Sequence, residues 1–182
     1  SAPGVDGQTV AQYEEHLEAN LPGLLNRAKS GAYLAPPVKR VYIPKDHGES
    51  RPIGIPTTED KVLGRAIVML LEPIYEEAFY GFSHGFRPGR SAHQALEAFW
   101  QQASQGGVRW VLEVDIRKYF DSVCRKRLFE LISQRIGDGV VLRLISKWLH
   151  AGVMEEGLVH YEPEGTPQGS VLSPLLSNIY LH

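Results

Sequence analysis

The apolar positions of the chain follow two periodicities, and the switches between them mark the elements. Over residues 9–30, Val10, Tyr13, Leu17, Leu21, Leu24 and Leu25 recur at three- and four-residue spacings. That spacing predicts an amphipathic helix opened by a Thr9 cap. Pro22 inside it predicts a kink or a restart. Residues 38–43 and 51–56 read as two strands around a polar turn, a hairpin. Thr57 then caps a long helix, with Asp60 as its capping-box partner. Val62, Leu63, Ile67, Leu70, Leu71, Ile74 and Tyr75 give that helix a wide apolar stripe, and Pro73 predicts a kink or split.

Period two returns at residues 110–116. Val111, Glu113 and Asp115 share one face; Leu112, Val114 and Ile116 share the other. The expectation is a short buried strand whose apolar face lies on helices. Its other face would bring Glu113 and Asp115 to the open end, where a metal site can form. Two helices follow over residues 123–136 and 138–150, separated by Gly137. A hairpin around Glu155, Glu156 and Gly157 comes next, then an apolar helix from about residue 171 to 180.

With 182 residues, 43% of them hydrophobic, the chain can fill one sizeable core or slightly more. A net charge of −2 gives no global basic signature, so a nucleic-acid role must rest on local patches. The single cysteine, Cys124, excludes an internal disulfide and suits a reducing compartment. No apolar run is long enough to span a bilayer, and a soluble, cytoplasmic chain is expected.

Three local patches carry candidate chemistry. Lys39, Arg40, Lys45 and Arg51 flank the first hairpin turn, and a Lys and an Arg at its tip suit a triphosphate. A solvated surface hairpin would carry the same charges. Arg87 and Arg90 sit on a Gly/Pro loop beside Phe86, with no acidic residue between Gly81 and Gln94. Two guanidiniums, an aromatic ring and a Ser91-capped helix start suit a phosphate backbone with a stacked base. An ordinary loop-to-helix junction could look alike. The Pro167-Gln168-Gly169 turn presents a neutral amide that can hydrogen-bond a sugar or a base edge.

These motifs occur in a fixed order: Gly4-Val5-Asp6-Gly7; Ile43-Pro44-Lys45 with Arg51-Pro52-Ile53-Gly54-Ile55-Pro56; residues 83–91; Val114-Asp115-Ile116 with Tyr119-Phe120-Asp121; and Gly165-Thr166-Pro167-Gln168-Gly169 with Ser173-Pro174-Leu175-Leu176-Ser177-Asn178. The series resembles the reverse-transcriptase domain of bacterial group II intron-encoded proteins, over nearly the whole chain. The resemblance implies an α+β right-hand polymerase, fingers and incomplete palm, helix-rich with short antiparallel strands. Fingers would cover residues 1–92 and 123–168, palm 93–122, and the start of a second palm segment 169–182.

The resemblance also implies an RNA-directed DNA polymerase that uses two magnesium ions. Its partners would be RNA template, intron RNA, DNA primer and deoxynucleoside triphosphates. Asp115 would be the first catalytic carboxylate and a metal ligand. The Ile116 carbonyl would ligate the metal that carries the triphosphate. Phe120 would exclude a ribose 2′-hydroxyl, Lys45 and Arg51 would grip the triphosphate, and Gln168 would lie beside the nucleotide sugar. Arg87 and Arg90 would touch the template, and Asp121 would be structural.

One departure stands out. The family's aromatic-Ala-Asp-Asp turn is missing, and no Asp-Asp pair occurs in the sequence. The expectation is a portion that is inactive alone, holds magnesium weakly or not at all, exposes Asp115 in part, and self-associates through an open palm edge. An RNA-binding, maturase-derived module without polymerase activity is the alternative; its binding would depend steeply on salt and not on metal. A plain α/β structural domain with relic motifs is the third reading.

Overall fold

The computed structural model describes residues 2–44, 50–161, 164–166 and 169–182. Thr9 caps α1 (Val10–Glu14) in a capping box with Gln12. The helix breaks at His16, not at Pro22: the His16 N–H bonds the Tyr13 carbonyl, and its own carbonyl restarts the helix by accepting from Ala19 and Asn20. Pro22 lies inside α2 (Leu17–Ser30), where it removes one internal hydrogen bond without ending the helix. Gly31 closes α2 in the left-handed conformation, φ 86°.

The expected hairpin is β1 (Val38–Pro44) and β2 (Ser50–Ile55), antiparallel with Arg40 opposite Gly54 and Ile43 opposite Arg51. Helices α3 (Thr58–Glu76), α4 (Ala92–Gln105), α5 (Tyr119–Ser122), α6 (Arg125–Ser133) and α7 (Gly139–Leu149) follow. A second hairpin, β3 (Val153–Glu155) and β4 (Leu158–His160), precedes α8 (Ser173–Leu181). The two hairpins join through a parallel pairing of β1 with β3, giving one sheet in the order β2-β1-β3-β4. The sheet is therefore mixed. No local turn signal announces the parallel pair, because its strands lie far apart in sequence.

Helix α3 organises the core. Thr57 caps it by accepting the Asp60 N–H, but the Asp60 carboxylate does not return to the cap. It accepts instead from the Tyr33 hydroxyl and, at 2.9 Å, from the Trp148 indole. Pro73 falls in the last turn, and α3 runs through it unbroken. Leu63, Ile67, Leu71 and Tyr75 of α3 pack with Leu128 and Ile132 of α6, Leu144 and Ile145 of α7, and Leu176 and Ile179 of α8. No helix among the described residues is long and apolar enough to cross a membrane.

Residues 107–116 form no strand. Trp110 is 91% and Leu112 87% exposed, so the apolar face expected to lie on helices faces solvent. The alternation is present, but a strand exists only by pairing, and among the described residues none pairs with this one. Helix α4, just before it, buries no residue and exposes Leu96, Phe99 and Trp100.

Candidate nucleotide and template site

One loop ties the motifs together. The Gly165 N–H donates to the Val123 carbonyl at 2.9 Å, and the Thr166 N–H donates to the Phe120 carbonyl at 2.8 Å. Gly165 has φ 85°, and a Cβ there would lie 2.8 Å from the Phe120 carbonyl oxygen. On the other side, Gly169 has φ 105°, and its Cβ would stand 2.4 Å from the Gly54 carbonyl oxygen of β2. Only glycine combines those dihedrals with such close approach. Described residues on either side of Gln168 thus meet the turn at Phe120 and the first hairpin. Gln168 and Lys45 themselves lie outside the described residues.

Arg125 fastens the same loop. Its Nε donates to the Gly165 carbonyl at 2.7 Å, and a terminal nitrogen donates to the Glu164 carbonyl at 3.1 Å. The sequence marks Cys124-Arg125-Lys126 only as a departure from the family's usual polar helix start, with no function attached; the fold is what brings Arg125 to the loop. Beside it opens a cavity of about 320 Å³ lined by Arg40, Gly54, Lys118, Asp121, Arg125 and Thr166, among others. Lys118 adopts φ 52° as α5 begins. Arg40 reaches the Glu155 carboxylate at 3.4 Å, and the Tyr42 hydroxyl donates to Glu155 as well. Strand alternation puts Arg51 on the opposite face of β2 from Gly54, exposed near the hairpin tip.

Asp115 and Ile116 stand apart from the cavity, on the exposed segment that leads into α5. Asp115 brings one carboxylate, and the Ile116 carbonyl is a second hard oxygen. Magnesium demands a near-octahedral oxygen shell, and a two-ion site needs several carboxylates. Among the described residues no group of three or more His, Cys, Asp or Glu comes together. They do not by themselves fit a two-ion site.

The arginine loop divides its two guanidiniums between different tasks. Arg87 is internal, with a side chain only 5% exposed. Its Nε and one terminal nitrogen bond the Glu76 carboxylate, the closest contact being 2.8 Å. The other terminal nitrogen donates to the Tyr80 and Ser83 carbonyls at 2.7 and 2.9 Å. The guanidinium also lies over the Phe79 ring at 5.3 Å. Arg87 therefore holds the loop. Arg90 is exposed and donates to the Gly81 carbonyl at 3.3 Å. Phe86 is exposed too, with φ 55°. Asn178 of α8 donates to the Gly85 carbonyl at 2.9 Å, and Ser91 caps α4 in a box with Gln94.

The family model described as "Reverse transcriptase (RNA-dependent DNA polymerase)" matches residues 43–182. Protein YkfC of Escherichia coli (strain K12) is 42% identical over 183 residues, covering 99% of this chain and 48% of that protein. Group II intron-encoded protein LtrA of Lactococcus lactis subsp. cremoris is 44% identical over 166 residues, covering 91% of this chain and 27% of that protein. Nuclear intron maturase 1, mitochondrial, of Arabidopsis thaliana is 31% identical over 94 residues, 52% of this chain and 13% of that protein. The chain thus spans about half the length of YkfC and about a quarter of LtrA.

Proposed function

The chain belongs to the reverse transcriptase (RNA-dependent DNA polymerase) family, and on that premise we propose that it forms the nucleotide- and template-binding part of a group II intron-type RNA-directed DNA polymerase. Phosphoryl transfer asks for in-line positioning and charge neutralisation more than for a reactive side chain. Lys45 and Arg51, which flank the first hairpin's turn in sequence, grip the incoming triphosphate. Phe120 bars a ribose 2′-hydroxyl, and the Gln168 amide meets the sugar. Asp115 and the Ile116 carbonyl would offer two oxygens to Mg²⁺, whose chemistry would be charge neutralisation; further carboxylates would be needed to hold it. Arg90 meets the template, and Arg87 positions the loop that carries it. RNA template, intron RNA, DNA primer and deoxynucleoside triphosphates are the partners, and the single cysteine supports a cytoplasmic setting.

The observation that carries this reading is a pair of close approaches, of Gly165 and Thr166 to Val123 and Phe120, and of Gly169 to Gly54. It supports a common site for motifs that are distant in sequence. The lack of a carboxylate cluster among the described residues favours a second reading, an RNA-binding module without polymerase activity.

Primer extension separates the two. The chain is given an RNA template, a DNA primer, deoxynucleotides and magnesium, beside Asp115→Ala. Templated extension that disappears in the variant places the chemistry on Asp115. Template binding without extension, steeply salt-dependent and indifferent to metal, assigns the binding role. A chain that binds neither RNA nor nucleotide overturns both.

A further inference from the structure

An aromatic pile stands on the surface just ahead of the arginine loop. Tyr80 and Phe82 stack with ring centroids 5.1 Å apart and planes within 9° of parallel. The His182 ring also stacks on Tyr80, at 5.0 Å and 28°. Tyr80 is 57% and Phe82 79% exposed, so these rings are not part of the core beneath them. Arg90 donates to the carbonyl of Gly81, the residue between the two rings, and so stands beside the pile. The nearby Glu76 carboxylate is taken by Arg87, and residues 81–94 contain no acidic side chain.

Flat π surface open to solvent, backed by a second ring and flanked by a guanidinium, has the chemistry of a base platform. The ring face stacks on a base whatever its identity, and the cation takes the adjacent phosphate. We propose that Tyr80 and Phe82 form a stacking platform for an unpaired base of single-stranded RNA, with Arg90 on its phosphate. This rests on the family reading, which brings RNA to the chain. It goes beyond that reading because neither ring lies within the 83–91 motif. The exposed guanidinium and the acid-free loop favour RNA over an apolar protein segment, which would leave that charge without a counterpart.

The test is a fluorescence titration of the chain with a single-stranded oligoribonucleotide carrying 2-aminopurine, across a salt series. Phe82→Leu keeps apolar bulk but loses the ring, and circular dichroism checks that it folds. It is expected to weaken binding about tenfold at every salt concentration, with the salt slope unchanged. Phe82→Trp is expected to restore binding. Arg90→Ala is expected to lower the slope by about one phosphate contact. RNA bound equally well by Phe82→Leu and by the unaltered chain would overturn the platform and leave the family reading intact. An unaltered chain that binds no RNA would overturn both. Self-association lost in Phe82→Leu, with RNA affinity unchanged, would assign the rings to a protein contact and overturn the platform.

Discussion

The Arg87 guanidinium meets the Glu76 carboxylate at 2.8 Å, and the two close the end of α3 against the loop that follows it. Arg87 is nearly sealed, whereas the Glu76 side chain is 26% exposed. Removing one partner of a buried pair strands the other, at roughly 3–5 kcal/mol for full burial. Here the stranded carboxylate can reach water, so Arg87→Leu should cost about 2 kcal/mol, read from the urea midpoint. Arg87→Lys should recover only part of it, because an ammonium cannot bond the carboxylate and two carbonyls with the same planar fork. A neutral Arg87→Leu would return this residue to the pool of template contacts.

Asp60 should make the chain lose stability as pH rises from about 4 to 6. Burial pushes its carboxyl from 3.8 up to about 6, against the opposing Trp148 hydrogen bond, and the charge of Asp6 adds to the rise. Between those values the folded chain keeps a proton that the unfolded chain has lost. Stability therefore falls with rising pH through that window and levels off above it. At about 1.4 kcal/mol per unit, the full span is about 3 kcal/mol. The measurement is the difference between the chain and Asp60→Asn, which isolates this one group. The advantage of the variant should grow from pH 4 to pH 7 and then stay constant. A constant difference across the range would mean that Asp60 titrates as it does in water.

Gly169→Ala should separate the Gln168 loop from the first hairpin. The new methyl would lie 2.4 Å from the Gly54 carbonyl oxygen and 2.8 Å from Ile53, on a backbone with φ 105°. Strain and overlap together should cost at least about 1–3 kcal/mol. On the proposed roles, nucleotide affinity should fall more than RNA affinity, since Gly169 approaches the first hairpin and Gly165 and Thr166 the turn at Phe120. Gly23→Ala is the control. It meets nothing within 4 Å and replaces a glycine inside α2, so it should be neutral or slightly stabilising.

What the sequence made legible follows from how local each signal is. The hairpin, the Thr57 and Ser91 caps, and α6 to α8 are written in short windows, and the structure carries each of them. Glu76 and Arg87 lie on different elements, and only the packed end of α3 shows that their charges cancel. The Asp60 carboxylate likewise looked like a capping-box member until Tyr33 and Trp148 arrived from distant segments. Arg125 and Lys118 entered the site only because a loop some forty residues downstream folds back over them. Signals that need two remote segments escape any window, and a polar residue has no periodicity to reveal its partner.

Residues 107–116 show the same limit from the other side and support the last prediction. Their alternation reads as a buried strand, yet among the described residues they make no backbone hydrogen bond, and Leu112 is 87% exposed. Leu112→Asp should change stability by less than about 0.5 kcal/mol, as an exposed substitution does. Leu128→Asp, at a position with no exposure, should unfold the chain outright, because it sets an unpaired carboxylate in the core. Trypsin offers an independent reading. Arg109, Arg117 and Lys118 are exposed around a backbone without a ladder, so the earliest cut should fall among them, ahead of any site in α3 or α6. A large cost at Leu112 together with protection at these three residues would mean that the period-two pattern has found a partner, either a second copy of the chain or a strand the described residues do not supply. The sedimentation coefficient of the protected form would then distinguish those two.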